Sequence, residues 1–303
     1  MTSTEQEFHP DLARLARVLP RGVAGPRRIR VIRFVQNIMA RLQRTGDVEV
    51  RDLPSGGAAR IFRPAGAAAD VPVLLWIHGG GYVFGKAQQD DEMCRRFSTD
   101  LGAVVVSVDY RLAPEHPFPA ALDDCHEALG IARELAGVDL SRIAIGGASA
   151  GGGLAAQLAL RVRDLGEQAP VLQLLVYPML DDRTGSDGPA DNESRFRVWN
   201  SSSNRYGWTS YLGDAVPEVV APARRDDLAD LPPAWIGVGD LDLFYDEDLA
   251  YAEQLRAAGV TCDVEVINGA FHGFDLVTAT APVSKEFFRM QVAAVRKAFE
   301  AST

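Results

Sequence analysis

Gly147-Ala148-Ser149-Ala150-Gly151 follows the apolar run Ile143-Ala144-Ile145-Gly146 and opens a stretch that reads as a helix. A strand, a sharp turn and a helix with serine at the apex push that side chain out of the sheet as an exposed nucleophile. Glycines two before and two after the serine let strand and helix approach each other. A Gly/Ala/Ser-rich turn alone is weak evidence. Here it comes with His78-Gly79-Gly80-Gly81-Tyr82 upstream and His272 downstream. The three together point to serine-dependent acyl transfer.

Outward from that turn, strand-like runs alternate with helix-length segments. The runs are Val71–Ile77, Ala103–Val108, Ile143–Ile145, Leu172–Tyr177, Ala234–Val238 and Asp263–Ile267. Runs apolar on both faces belong to strands covered by helices on both sides, the signature of a parallel sheet. Helix candidates are Asp91–Asp100, Pro119–Ala136, Gly151–Arg163, Leu249–Ala258 and Lys285–Phe299. Val48–Leu53 and Arg60–Arg63 flank Pro54-Ser55-Gly56-Gly57 and read as a hairpin on the sheet edge. The expected class is α/β, a mostly parallel central sheet flanked by helices, with reactive groups at the strand C-termini.

Two segments stand outside the alternation. Leu12, Leu15, Ala16 and Leu19 fall at helical spacing, as do Ile32, Val35, Met39 and Leu42. Residues 1–44 carry nine arginines against three acidic side chains, within a chain of formal charge −10. This start reads as an amphipathic segment packing on its own domain, rather than one seeking an anionic surface. Residues 183–225 form an insertion with Phe196, Trp199, Tyr206, Trp208 and Tyr211, which suggests a lid over an apolar pocket. The expected division is 1–44 N-terminal cap helices, 45–182 first part of the core, 183–225 cap insertion and 226–303 second part of the core.

The acidic balance argues against a nucleic-acid partner. No apolar stretch approaches the roughly 18 residues of a membrane span, and Met1–Pro20 has no secretory apolar region. Cys94, Cys125 and Cys262 lack metal-ligand spacing and read as buried thiols in a reducing compartment. The expected location is the cytoplasm.

A serine hydroxyl attacks only when a base takes its proton. Of the five histidines, His9 lies in the N-terminal segment, and His78 suits bracing of the glycine loop. His116 sits between prolines and His126 within a helix. Only His272 leaves space for an acid between itself and Ser149, in the order such hydrolases use. Asp240 and Asp242 both follow the Ala234–Val238 run, and local pattern leaves them level as the acid. Asp246, Glu247 and Asp248 read as residues satisfying a helix N-terminus. Gly79-Gly80-Gly81 offers amides for an oxyanion, and Ala150, directly after the nucleophile, offers another.

The chain resembles the hormone-sensitive-lipase-like (family IV) bacterial esterases of the α/β-hydrolase superfamily. The stretches that carry the resemblance are His78–Tyr82, Asp109–Ala120, Gly147–Gly152, Tyr177–Arg183, Asp242–Glu247 and Phe271–Phe274. The resemblance implies an α/β-hydrolase core with a helical cap from the N-terminus and the insertion. It also implies carboxylic-ester hydrolysis of short- to medium-chain small-molecule esters, without metal or organic cofactor. It assigns Ser149 as nucleophile, His272 as base and Asp242 as acid, and gives the oxyanion to Gly80, Gly81 and Ala150. A homodimer is compatible with it. One departure is Ala148, where many members carry Asp or Thr before the nucleophile. Asp109 and Arg111 are expected to form an ion pair beneath the site, on a loop stiffened by prolines. The alternatives are an amidase or deacetylase with the same triad, and a non-catalytic ligand receptor on this fold.

Overall fold

A computed structural model of the chain describes residues 7–42, 46, 48–66, 69–186, 188 and 193–302. The proposed boundary at residue 44 lies outside them. Among the described residues, eight strands form one sheet in the order β1-β2-β4-β3-β5-β6-β7-β8. The edge hairpin is β1 (Glu49–Asp52) against β2 (Ala58–Phe62), antiparallel, and β2 pairs antiparallel with β4 (Val104–Asp109). The remainder is parallel: β3 (Val71–Ile77), β5 (Val138–Ala148), β6 (Leu172–Val176), β7 (Ala234–Gly239) and β8 (Cys262–Ile267). β5 begins five residues before the apolar run: Val138 pairs with Val71, and Val138–Arg142 is half-buried to exposed, which removes the continuous apolar signal there.

The apolar runs sort by alternate residues, as the two-residue strand period demands. Val73, Leu75 and Ile77 face one core with Val104, Val106 and Val108, beneath α4 (Ala120–Glu134), α5 (Ala150–Asp164) and α8 (Tyr245–Ala257). Leu74, Trp76 and Val105 face the other core, beneath α3 (Asp91–Leu101) and α10 (Pro282–Ala301). Each fully buried aliphatic side chain contributes about 1.5–3 kcal/mol, so the sheet is held from both faces. One charged pair is buried there as well: Arg60 donates to Asp91 through Nε at 2.8 Å and through a terminal nitrogen at 2.5 Å. Removing either partner would strand a charge in the core, at a cost of about 3–5 kcal/mol.

In the N-terminal segment Leu12 and Ala16 are buried and Leu19 packs against the core, as expected, but the second helix departs from expectation. Besides the short α1 (Ala13–Ala16), the segment forms α2 (Arg28–Leu42). Of α2, only Ile29 is fully buried; Val31, Phe34, Val35, Ile38, Met39 and Leu42 are exposed. The helix lies on its domain through a polar side instead. Arg33 donates to the Val83 carbonyl at 2.7 Å and to Glu115 at 2.8 Å, and Gln36 accepts the Gly85 amide at 3.1 Å. The surface it meets is unpaired loop backbone, which polar side chains satisfy and leucines cannot.

The insertion holds α6 (Ser201–Leu212) and α7 (Pro217–Val220). It meets the N-terminal segment: the Val198 amide donates to the Pro20 carbonyl at 2.7 Å, and the Ala24 amide to Ser203 Oγ at 3.2 Å. Among the described residues, no helix is long and apolar enough to cross a membrane. Cys94, Cys125 and Cys262 are buried free thiols.

Candidate active site

Ser149 stands between the end of β5 and the start of α5, at φ 57° and ψ −120°. That backbone is strained for a residue with a Cβ, and persists because both flanking elements are fixed. The flanking glycines make the approach possible. A Cβ on Gly147 would sit 2.5 Å from the carbonyl oxygens of Gly151 and Ile77. The Ser149 amide donates to the Val176 carbonyl at 2.9 Å, and its carbonyl accepts from Met179 at 3.0 Å, tying the turn to β6.

His272 enters from the loop after β8, just before α9 (Phe274–Val277). Its Nε2 lies 2.9 Å from Ser149 Oγ, and its Nδ1 lies 2.8 Å from Asp242 Oδ2. A carboxylate only accepts, so Nδ1–H donates to Asp242, leaving Nε2 as the acceptor facing the serine hydroxyl. Asp240, level with Asp242 by sequence pattern, accepts the Gly269 amide instead, at 2.5 Å. Asp242 is itself held, its Oδ1 accepting the Phe244 amide at 3.0 Å. Sequence reasoning missed what encloses the imidazole. Tyr177 and Phe244 meet the ring edge-on, at centroid distances of 4.9 and 5.0 Å. The Tyr177 hydroxyl donates to Asp275 at 2.6 Å, three residues past the histidine.

The glycine loop follows β3. The Gly80 and Gly81 amides make no backbone hydrogen bond among the described residues, and Ala150, first in α5, carries an amide that a helix leaves free. The loop is braced from several sides. His78 donates through Nδ1 to the Gly79 carbonyl at 2.8 Å and stacks on Tyr110, 4.2 Å between centroids. Burial lowers the His78 pKa, and Asp109 opposes that shift, so the ring is a neutral brace. The Tyr110 hydroxyl donates to the His78 carbonyl at 3.0 Å, and the Tyr82 hydroxyl to the Met179 carbonyl at 3.1 Å.

The expected Asp109–Arg111 ion pair does not form. Arg111 pairs with buried Asp124 on α4, at 2.8 Å. Asp109 accepts the Ala87 amide at 3.0 Å, beside the glycine loop. β4 ends at Asp109, so Arg111 lies on the loop beyond the strand, where its amide and its guanidinium both meet Asp124. The Ala113–Pro114 and Phe118–Pro119 peptides of this loop are cis.

A cavity of about 320 Å³ opens over Ser149 and His272, walled by Phe84, Val198, Trp199, Leu276 and Val277. Of the five insertion aromatics, Trp199 faces this cavity. Tyr211 stacks on Tyr82 of the glycine loop, 3.9 Å between centroids, and Trp208 packs against Tyr82 at 5.4 Å. The insertion therefore packs onto the core and also walls the cavity.

The alpha/beta hydrolase fold family Abhydrolase_3 matches residues 74–276, and that range holds the serine turn, the glycine loop and His272. Esterase LipI of Mycobacterium tuberculosis is 37% identical over 271 residues, which cover 82% of each chain. The chain is a hormone-sensitive-lipase-like carboxylic ester hydrolase. Carboxylesterase NlhH of the same organism is 36% identical to this esterase, over 80% of the chain and 78% of the relative. A solved structure titled bacterial heroin esterase matches 96% of the esterase with a TM-score of 0.85 at 35% identity, and 98% of that chain is covered. Esterase LipW from Mycobacterium marinum matches with a TM-score of 0.84 at 34% identity, over 98% of both chains.

The three acids that open α8 do not share one task in the esterase. Glu247 and Asp248 are buried, and neither caps the helix. Glu247 Oε1 accepts the Leu180 amide at 2.7 Å and the Asp181 amide at 3.2 Å, fixing the chain where the insertion begins. Among the described residues, its buried Oε2 meets no hydrogen-bond donor within normal geometry. Burial pushes this carboxyl from 4.5 up to about 8. The folded state therefore holds a proton that the unfolded chain releases above pH 4.5. Stability from this group is complete below 4.5 and is lost as pH rises toward 8, at about 1.4 kcal/mol per unit. Glu247→Gln keeps the acceptor and removes the titration. Urea midpoints compared at pH 5 and pH 8 should fall less in this variant than in the wild type. An equal fall would show that Glu247 does not titrate in that window.

Proposed function

We propose that the protein is a serine carboxylesterase working through an acyl-enzyme on Ser149, with His272 as base, Asp242 as its orienting acid, and Gly80, Gly81 and Ala150 as oxyanion donors. The observation that carries this reading is the continuous contact from Asp242 through His272 to Ser149 Oγ, at 2.8 and 2.9 Å. In the first half-reaction Oγ bonds to the ester carbonyl carbon while its proton passes to His272 Nε2. The carbonyl oxygen becomes an oxyanion against the three amides. Collapse breaks the bond to the leaving alcohol, which takes the proton from Nε2. In the second half, water attacks the acyl carbon as Nε2 accepts its proton, and collapse returns that proton to Oγ and frees the acid. Asp242 stays ionised and stabilises the imidazolium.

A cavity of about 320 Å³ is at the small end of ligand sites, and its walls are mainly apolar. That supports short- to medium-chain esters under a cap formed by the N-terminal segment and the insertion. A p-nitrophenyl series tests the reading, with kcat/KM read from acetyl to dodecanoyl beside matched anilides. Turnover should peak at or below medium chains and fall beyond them. The anilides should run at least about 100-fold slower, since the site offers nothing extra for a poor leaving amine. Anilide turnover equal to ester turnover would favour an amidase instead.

A further inference from the structure

Asp90 belongs to none of the machinery above, yet it lines the same cavity as Ser149 and His272. It closes the short turn Ala87–Asp90, directly before α3, and is 2% exposed. Its Oδ2 accepts the Trp76 indole N–H at 2.8 Å, whereas Oδ1 is buried and, among the described residues, meets no hydrogen-bond donor within normal geometry. Gln89 lies alongside, its Nε2 reaching the Gly79 carbonyl at 3.4 Å. A buried carboxyl oxygen without a donor is costly, and native structures keep few of them without a purpose.

The surroundings sharpen the question. Among the described residues, no lysine or arginine lines this cavity. Arg60 is committed to Asp91 by two hydrogen bonds. Burial of Asp90, helped by the like charges of Asp275 and Asp91, raises its carboxyl from 3.8 to about 7 against the opposing pull of the Trp76 and Gln89 N–H groups. Near neutral pH the carboxyl is therefore about half ionised, and among the described residues no cation lining the cavity offsets its charge. Phe84 and Trp199 add aromatic faces, which favour cations over anions.

We propose that Asp90 makes the ester cavity selective for substrates that carry a protonated amine on one arm, whose N–H bonds to the unpaired carboxyl oxygen. The proposal rests on the serine-esterase reading and names its substrate class. An amine supplies the missing donor and the missing counter-charge together; a hydroxyl supplies only the donor. A carboxylate supplies neither and is repelled.

The test uses ester pairs that differ in one group, dimethylammonium against isopropyl, which match in shape. One series carries the group on the acyl arm and the other on the alcohol arm. The readout is the ratio of kcat/KM within each pair at neutral pH, so a general loss of activity in a variant cancels. Asp90→Asn keeps the Trp76 bond and places an amide N–H where the acceptor was; Asp90→Ala removes both. On at least one arm both variants should lower the amine-to-isopropyl ratio by about tenfold or more, as losing a hydrogen bond to a charged group would. Carboxylate-terminated esters should gain relative to isopropyl in both variants. Hydroxyl-terminated esters should show a smaller drop than the amines; an equal drop would reduce the recognised group to a neutral donor and overturn the assignment of a cation. Ratios unchanged on both arms, with only the melting temperature altered, would make Asp90 structural. Failure of the underlying reading shows separately, as isopropyl-ester turnover surviving in Ser149→Ala.

Discussion

Ser149→Ala is expected to lower kcat for a short-chain p-nitrophenyl ester by a factor on the order of 10⁶, leaving the background supplied by binding and the oxyanion donors. The size follows from the chemistry. Without Oγ no acyl-enzyme forms, and His272 is left with no group to deprotonate at the site of attack. The substitution deletes one oxygen from a residue that is 6% exposed and whose turn is held by backbone bonds to β6. The melting temperature should hardly change. Steady-state rates beside a thermal melt check both halves of the prediction. Retained turnover with an intact fold would place the nucleophile elsewhere.

The second large effect separates two neighbouring acids. Asp242→Asn should cost about 10⁴ in kcat, because an amide N–H opposite Nδ1 forces the imidazole toward the tautomer that cannot accept from Ser149. The variant still accepts the Phe244 amide, so the loop keeps its shape. Asp240→Asn leaves the His272 contact untouched and should cost less than about tenfold, through its bond to the Gly269 amide. Parallel kcat measurements on the two variants decide between them. A crippled Asp240→Asn beside an active Asp242→Asn would reverse the roles.

The difference between these two predictions also marks where sequence reading stopped. The serine turn was legible because glycines, a small-residue run and a preceding strand are local requirements written in adjacent residues. The parallel strands were legible for a related reason: Val104, Val105 and Val106 meet opposite cores, so burial on both faces leaves an unbroken apolar run. Asp240 and Asp242 stayed level, because what separates them is a histidine thirty residues on and the twist of two strands.

Long-range partners account for the misread residues too. Arg111 finds Asp124, thirteen positions away, because α4 returns beside the loop. In α2 the apolar stripe predicts burial, yet the neighbouring surface is backbone of Val83–Gly85 and Ala113, so Arg33 and Gln36 turn inward. Helical periodicity identifies the stripe but not the surface it will meet. Asp90 gave no signal in the sequence. It sits beside Asp91, whose Arg60 partner makes it structural, and only the fold shows one carboxyl in the core and the other at the cavity.

The relay itself is tested most directly by covalent capture. Wild-type protein treated with a fluorophosphonate, digested and read by mass spectrometry should carry one phosphonyl adduct, on Ser149, blocking ester turnover in proportion. His272→Ala should lose that labelling, because no base remains to take the proton from Oγ. An adduct on a different residue that abolishes turnover, or full labelling of Ser149 in His272→Ala, would contradict the account.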